Sequence, residues 1–149
     1  METDPFLAPW VEGEALLSLI PQREPVVMVD RFYGLDEPFS YTGLTVGEAN
    51  LFNRNGRFTE YGITEHIAQS AAVRIGYACM KRGEAVPVGF IGSVDKMDYY
   101  ASPATGDELH TILKVEQEIF GLTLVSAKVY VKERLVAEGK MKIFLKKAL

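Results

Sequence analysis

Phe58-Thr59-Glu60-Tyr61-Gly62-Ile63-Thr64-Glu65-His66-Ile67-Ala68-Gln69-Ser70-Ala71-Ala72-Val73-Arg74-Ile75-Gly76-Tyr77-Ala78-Cys79-Met80-Lys81-Arg82-Gly83 is the stretch that decides the fold. Read as a helix, it is apolar or small on nearly every side, and such a helix belongs inside a protein rather than on it. Glu65 and Gln69 interrupt it one turn apart. Spacing of i, i+4 puts both side chains on one face, about 5–6 Å apart at Cβ, so they can line a single site. An unpaired carboxylate in such surroundings is expensive. Glu65 is therefore either satisfied by a partner or kept for chemistry.

The sequence flanking this helix reads as strands. Gly13 to Ile20 forms a short amphipathic helix stopped by Pro21. Valine-rich Pro25 to Phe32 and the alternating residues 39–47 predict an antiparallel pair around a Gly34 to Pro38 turn. Asn50 to Arg57 reads as irregular. After Gly83 the period changes to two: a long strand over 86–101 contains Gly89 and Gly92, which permit bends or close approach. Leu109, Thr111, Leu113 and Val115 then form one dry face, as do Thr123, Val125, Ala127, Val129 and Val131. A last strand over 136–146 turns Ala137, Gly139, Met141, Ile143 and Leu145 inward. No linker or repeat divides the chain, so residues 1–149 read as a single domain. The order predicts an α+β protein in which a curved antiparallel sheet wraps one long central helix, the hotdog fold. Such a sheet leaves an exposed edge strand, and pairing two copies in a dimer with a continuous sheet would cover it.

Composition excludes several classes. No apolar run reaches the roughly 20 residues of a membrane span. The acidic, proline-broken start, Met1 to Trp10, lacks the basic segment and hydrophobic stretch of a secretory signal, which predicts a cytoplasmic protein. Sixteen Lys and Arg against twenty Asp and Glu give a net charge of −4, the wrong sign for a general nucleic-acid binder. One cysteine, Cys79, excludes an internal disulfide and reads as a core thiol. Only His66 and His110 are available for acid–base work or metal binding, and their spacing suggests no metal site. No cofactor is expected.

Four blocks then carry a family resemblance. Leu19-Ile20-Pro21-Gln22-Arg23-Glu24-Pro25-Val26-Val27-Met28-Val29-Asp30-Arg31 resembles the L-P-H-R-x-P-hydrophobic-V-D-R signature of bacterial (3R)-hydroxyacyl-ACP dehydratases. Ile63-Thr64-Glu65-His66-Ile67-Ala68-Gln69-Ser70-Ala71-Ala72 resembles their I-E-A-h-A-Q-A-A helix, h being hydrophobic. Phe90-Ile91-Gly92-Ser93-Val94-Asp95-Lys96-Met97 and Pro103-Ala104-Thr105-Gly106-Asp107-Glu108-Leu109 look like the later F-A-G-I-D and P-V-x-P-G-D-x-L blocks. The match covers residues 14–145 in order. It implies a homodimer, or a heterodimer with a related hotdog subunit, whose interface holds an acyl-thioester tunnel served by an acyl carrier protein. Glu65 falls on the family's catalytic acid. There it would protonate the departing 3-hydroxyl while Gln69 helps hold it and helix-start N–H groups polarise the thioester carbonyl. The same resemblance puts Gln22, Arg57, Gly62, Phe90 and Gly92 along the substrate path.

Two departures qualify that implication. The family's base is a histidine in a G-H-F-P-G segment, and the corresponding stretch here is Asn55-Gly56-Arg57-Phe58-Thr59, so Arg57 stands where imidazole should be. The L-P-H-R histidine is Gln22. This histidine-poor version looks like the dehydratase-like hotdog subunits of aryl-polyene and flexirubin-type pigment pathways. Arg57 stays protonated and cannot be a base, though it could stabilise an enolate or pair with Glu65. His66 projects about 100° from Glu65, away from a shared cavity, and reads as a packed or dimer-contact residue. His110 reads as surface. Dehydration needs both an acid and a base, whereas thioester hydrolysis needs only water activated by Glu65 as general base. Three readings follow: dehydratase-type acyl-ACP chemistry or binding, which the overall match favours, a thioesterase, and a non-catalytic subunit of a heterodimer. An acidic carrier protein calls for a basic docking patch, with Lys81, Arg82 and Lys96 as candidates.

Overall fold

Extended Thr59 (φ −80, ψ 166) turns directly into the 22-residue helix α2 (Glu60–Lys81). Glu60 in its first turn and Lys81 in its last complement the helix dipole. It ends where Gly83 takes φ +69 and the Glu84 N–H donates back to the Cys79 carbonyl at 2.9 Å. The computed structural model describes residues 4–146, with the side chains at 89, 90 and 146 outside the description, as are Met1–Thr3 and residues 147–149.

Around α2 the chain runs β1 (Val11–Glu12), α1 (Glu14–Leu17), β2 (Arg31–Asp36), β3 (Phe39–Thr45), β4 (Asn53–Arg54) and β5 (Arg57–Phe58), then, after the helix, β6 (Val88–Tyr99), β7 (Glu108–Ile119), β8 (Leu122–Val131) and β9 (Arg134–Lys146). Seven strands form one antiparallel sheet in the order β1-β2-β3-β7-β8-β9-β6. Its concave face buries Leu109, Leu113, Val125, Val129 and Met141 against Ile63, Ile67 and Ala71 of α2. Each of the leucine, isoleucine, valine and methionine side chains contributes roughly 1.5–3 kcal/mol through burial. The opposite flank of α2 carries Val73 into a second cluster with Leu16, Leu19, Ile20, Val29 and Phe32. A Cβ on Gly76 would lie 1.9 Å from the Leu19 carbonyl oxygen. Only glycine lets the connector after α1 cross the helix this closely. The result is the expected hotdog fold.

Several boundaries differ from expectation. The strand predicted over Pro25 to Phe32 begins only at Arg31. Upstream of it, Val26 and Met28 bond to side chains of α2 instead of to a neighbouring strand. The first helix is one α-turn, Glu14–Leu17, continued by tighter i to i−3 bonds through Ile20. The irregular 50–57 stretch holds a small hairpin, β4–β5, closed by Asn55 (φ 54) and Gly56 (φ 80). Positive φ at both residues is what an Asn-Gly turn supplies. The sheet edge at β6 exposes Val88, Ile91 and Val94.

Candidate active site

Glu65 sits near the start of α2, one turn below Gln69, and their side chains bond: Gln69 Nε2 donates to Glu65 Oε1 at 2.8 Å. The same Nε2 donates to the Val26 carbonyl at 2.7 Å, and Gln69 Oε1 accepts the Met28 N–H at 2.6 Å. Gln69 is fully buried, and both its amide hydrogens and its oxygen are engaged inside the protein. It clamps the 26–28 connector and Glu65 together. Gln69→Leu should orphan the Met28 N–H and cost about 1–3 kcal/mol, read as a lower urea midpoint.

His66 does the corresponding work on the neighbouring face. Its Nδ1–H donates to the Met28 carbonyl at 2.6 Å, and Nε2 accepts from the Thr111 hydroxyl at 2.7 Å. Complete burial lowers its pKa from 6.5 to about 4, so at neutral pH the ring is uncharged. Ser70 donates to the His66 carbonyl and accepts from Thr42, both at 2.7 Å, extending this buried network across to β3. His110 lies on the outer face of the sheet, stacked on Phe6 at 4.6 Å and edge-on to Tyr33, and desolvation lowers its pKa.

Glu65 lies where two cavities meet. One, about 260 Å³, is bounded by Gln22, Glu65, Ala68, Ala72, Ile75, Pro87, Ile91, Ile143 and Leu145. The other, about 500 Å³, lies toward the helix start between Phe52, Glu60, Tyr61, Thr64, Val94 and Tyr99. Tyr99 hydroxyl donates to Thr64 Oγ1 at 2.5 Å, and Thr64 donates in turn to the Glu60 carbonyl at 3.0 Å. Ile75, Pro87 and Leu145 also border a third cavity, about 650 Å³, at the far end of α2 beside Arg74, Cys79 and Arg82. A trough therefore follows α2 beside β6 and β9. Neither cavity touching Glu65 is lined by a histidine.

The remaining sequence candidates are scattered. Gln22 lines the cavity with Glu65. Gly62 is packed so closely that a Cβ would lie 2.5 Å from the Phe58 ring. Arg57 is exposed, its Nη1 donates to the Ser102 carbonyl at 3.3 Å, and it borders neither Glu65 cavity. At Gly92 a Cβ would sit 2.2 Å from the Phe144 ring, and Phe90 pairs through its backbone with Phe144 while its side chain lies outside the described residues. Lys81 approaches the Tyr77 ring and Arg82 pairs with Glu84 at the end of α2, whereas Lys96 lies beside Asp98 on β6 in a cavity with Lys114, Lys128 and Lys140 of the neighbouring strands. The three share no cavity. Cys79 is buried with a free thiol. Among the described residues no three His, Cys, Asp or Glu side chains converge as metal ligands, and no helix is long and apolar enough to cross a membrane.

Sequence reasoning passed over Arg74, Thr64 and Tyr99. Arg74 is buried on α2, where Nη2 donates to both oxygens of Glu37 at 2.9 and 3.1 Å and Nη1 lies 3.6 Å from Glu118. The trough itself was readable as the positions at i+3, i+7 and i+10 from Glu65: Ala68, Ala72 and Ile75 lie along that helix stripe.

A curved antiparallel sheet wrapped on one long helix, with a carboxylate lining a trough beside that helix, defines a hotdog protein. Residues 14–149 match the model of the ApeP-like family, described as ApeP dehydratase, and the chain belongs to that family. A chain of the dehydratase heterocomplex ApeI:P from Xenorhabdus doucetiae has the same fold, with a TM-score of 0.83 at 14% identity over 89% of this chain and 91% of that one. The 3-hydroxyacyl-(acyl-carrier-protein) dehydratase FabZ of Cupriavidus necator is 28% identical over 93% of this chain and 96% of its own length. A hypothetical thioesterase from Streptococcus pneumoniae, solved with coenzyme A, is a more distant structural relative: TM-score 0.61, 13% identity, covering 78% of this chain and 85% of that chain.

Proposed function

We propose that this chain is the acid-bearing half of a dehydratase acting on 3-hydroxyacyl thioesters carried by acyl carrier protein, with the base supplied by a related hotdog subunit. The observation that carries the reading is Glu65, clamped by Gln69 at the junction of two cavities that neither histidine borders. His66 is committed to Met28 and Thr111, and His110 lies on the other side of the sheet. Among the described residues, an acid lines these cavities and no histidine does. The exposed apolar edge of β6 runs beside both cavities through Ile91 and Val94, so a subunit pairing there would bring its own residues to the mouth. The names of two relatives support this: one is a dehydratase heterocomplex, the other acts on 3-hydroxyacyl carrier-protein substrates.

In the reaction, the partner's base removes a proton from C2 of the thioester, and that electron pair becomes the C2–C3 double bond. The C3–O bond breaks as Glu65, in its carboxylic acid form, gives its proton to the departing hydroxyl, which leaves as water. Charge developing on the thioester oxygen falls toward the start of α2, where the first-turn N–H groups have no intrahelical acceptor.

Mixing experiments test this directly. The purified chain and a histidine-bearing hotdog subunit are each incubated with 3-hydroxyacyl carrier protein, alone and together. Enoyl product should form when this chain and the subunit are together and not with this chain alone. Enoyl product from the chain alone would remove the need for a partner. Free acid from the chain alone would instead establish hydrolysis by Glu65-activated water.

A further inference from the structure

Two glutamines lie near Glu65, Gln69 bonded to it and Gln22 lining the same cavity, and the fold treats them very differently. Gln69 has all its polar hydrogens and its oxygen engaged, whereas Gln22 places its Oε1 in the interior with no hydrogen-bond partner among the described residues. Gln22 reaches the cavity from a firmly held connector. Arg23 Nη1 donates to the carbonyls of Ile20 and Gln22 at 2.8 and 2.7 Å, and Gln69 holds Val26 and Met28 just downstream. Apart from Gln22 and Glu65, the side chains that line the cavity are hydrocarbon, among them Ala68, Ala72, Ile75, Pro87 and Ile143. A buried amide oxygen without a donor is destabilising. Replacing it with hydrocarbon would relieve the fold, so the oxygen is better explained by a ligand than by packing.

Resting on the dehydratase reading above, we infer that Gln22 Oε1 accepts a hydrogen bond from the 3-hydroxyl of the bound acyl chain and makes this cavity selective for hydroxyacyl over saturated or enoyl chains. A hydroxyl has one hydrogen and two lone pairs. In an apolar slot holding only these two polar side chains, its hydrogen goes to Gln22 and a lone pair receives the proton of Glu65. Gln22 thus turns the hydroxyl into the geometry for departure. Once water has left, the enoyl chain offers no donor, Oε1 is again unpaired, and the product is held less tightly than the substrate.

The test is equilibrium binding of two pantetheine thioesters of equal chain length, one 3-hydroxylated and one saturated, to the full chain. Without a base the chain does not consume the ligand. The wild type should favour the hydroxylated thioester by about tenfold or more. Gln22→Leu should bring the ratio to near unity by weakening only the hydroxylated ligand, with no loss of melting temperature. Gln22→Glu, which keeps an oxygen acceptor, should retain the preference. A residue serving only to pack the connector would lower the melting temperature and weaken both ligands together. Equal wild-type affinity for the two thioesters overturns the role of Gln22 and leaves the dehydratase reading standing. Binding of neither overturns the acyl-cavity reading itself, and this inference with it.

Discussion

Glu65→Gln should reduce enoyl formation by the reconstituted dehydratase by about 10²–10⁴-fold while leaving the melting temperature of the chain unchanged. Glutamine has the shape of glutamate, and its amide oxygen can still accept from Gln69 Nε2, which now donates to Glu65 at 2.8 Å. The clamp on the 26–28 connector does not depend on Glu65 at all, because it runs through Gln69 to Val26 and Met28. What disappears is the transferable proton. Single-turnover formation of enoyl product, followed with the wild-type partner present, separates this loss from any change in carrier-protein affinity. Full activity in Glu65→Gln would reduce the chain to a scaffold for its partner's tunnel. Gln69→Leu provides the contrast: it should lower both stability and rate, because Glu65 loses its tether as the connector loses its anchor.

How much of this was legible beforehand follows from where the physical signal lies. A helix apolar on nearly all sides has one place to go, so α2 and the sheet around it could be read from residues 58–83 together with the period-two patterns of β7, β8 and β9. Leu109, Thr111 and Leu113 are buried as their alternation demands, and so are Val125, Ala127 and Val129. The valines of the 25–30 connector look like a strand, but the Val26 carbonyl and both backbone groups of Met28 bond to side chains far along the chain, Gln69 and His66, and backbone pairing with β3 starts only at Asp30, whose N–H donates to the Gly43 carbonyl. Propensity has no access to such long-range bonds. The β4–β5 hairpin does carry a local signal, Asn55-Gly56. Within the site, spacing put Glu65 and Gln69 on one face, but nothing local distinguishes a free amide from a committed one. The difference between Gln22 and Gln69 exists only in three dimensions. Arg57 lies on the substrate path only by the match of Asn55 to Thr59 with the family's G-H-F-P-G segment, whereas in the structure its guanidinium donates to the Ser102 carbonyl and borders neither Glu65 cavity.

Acidification should destabilise the chain through His66, by about 3 kcal/mol between neutral pH and pH 4. Burial holds the imidazole pKa at about 4, against an ordinary value of 6.5 that the unfolded chain recovers. Between those values the unfolded state binds the proton and the native state does not, so stability is complete above 6.5, declines as pH falls and levels off below about 4. Asp30 and the Met28 carbonyl favour the charged ring but are outweighed by desolvation. His66→Gln isolates this contribution. Its amide can donate to Met28 and accept from Thr111 without titrating, so the variant should lose less stability than wild type when urea midpoints are compared at pH 7 and pH 4.5, while carboxylate titrations elsewhere affect both chains alike. Equal acid losses in the two proteins would remove His66 as the origin. The effect reaches the site because His66 and Gln69 hold the same residue, Met28, through its carbonyl and its N–H. Charging the ring strains the connector that carries Gln22 and the clamp on Glu65, so the acid limb of the pH–rate profile should be shallower in His66→Gln than in wild type.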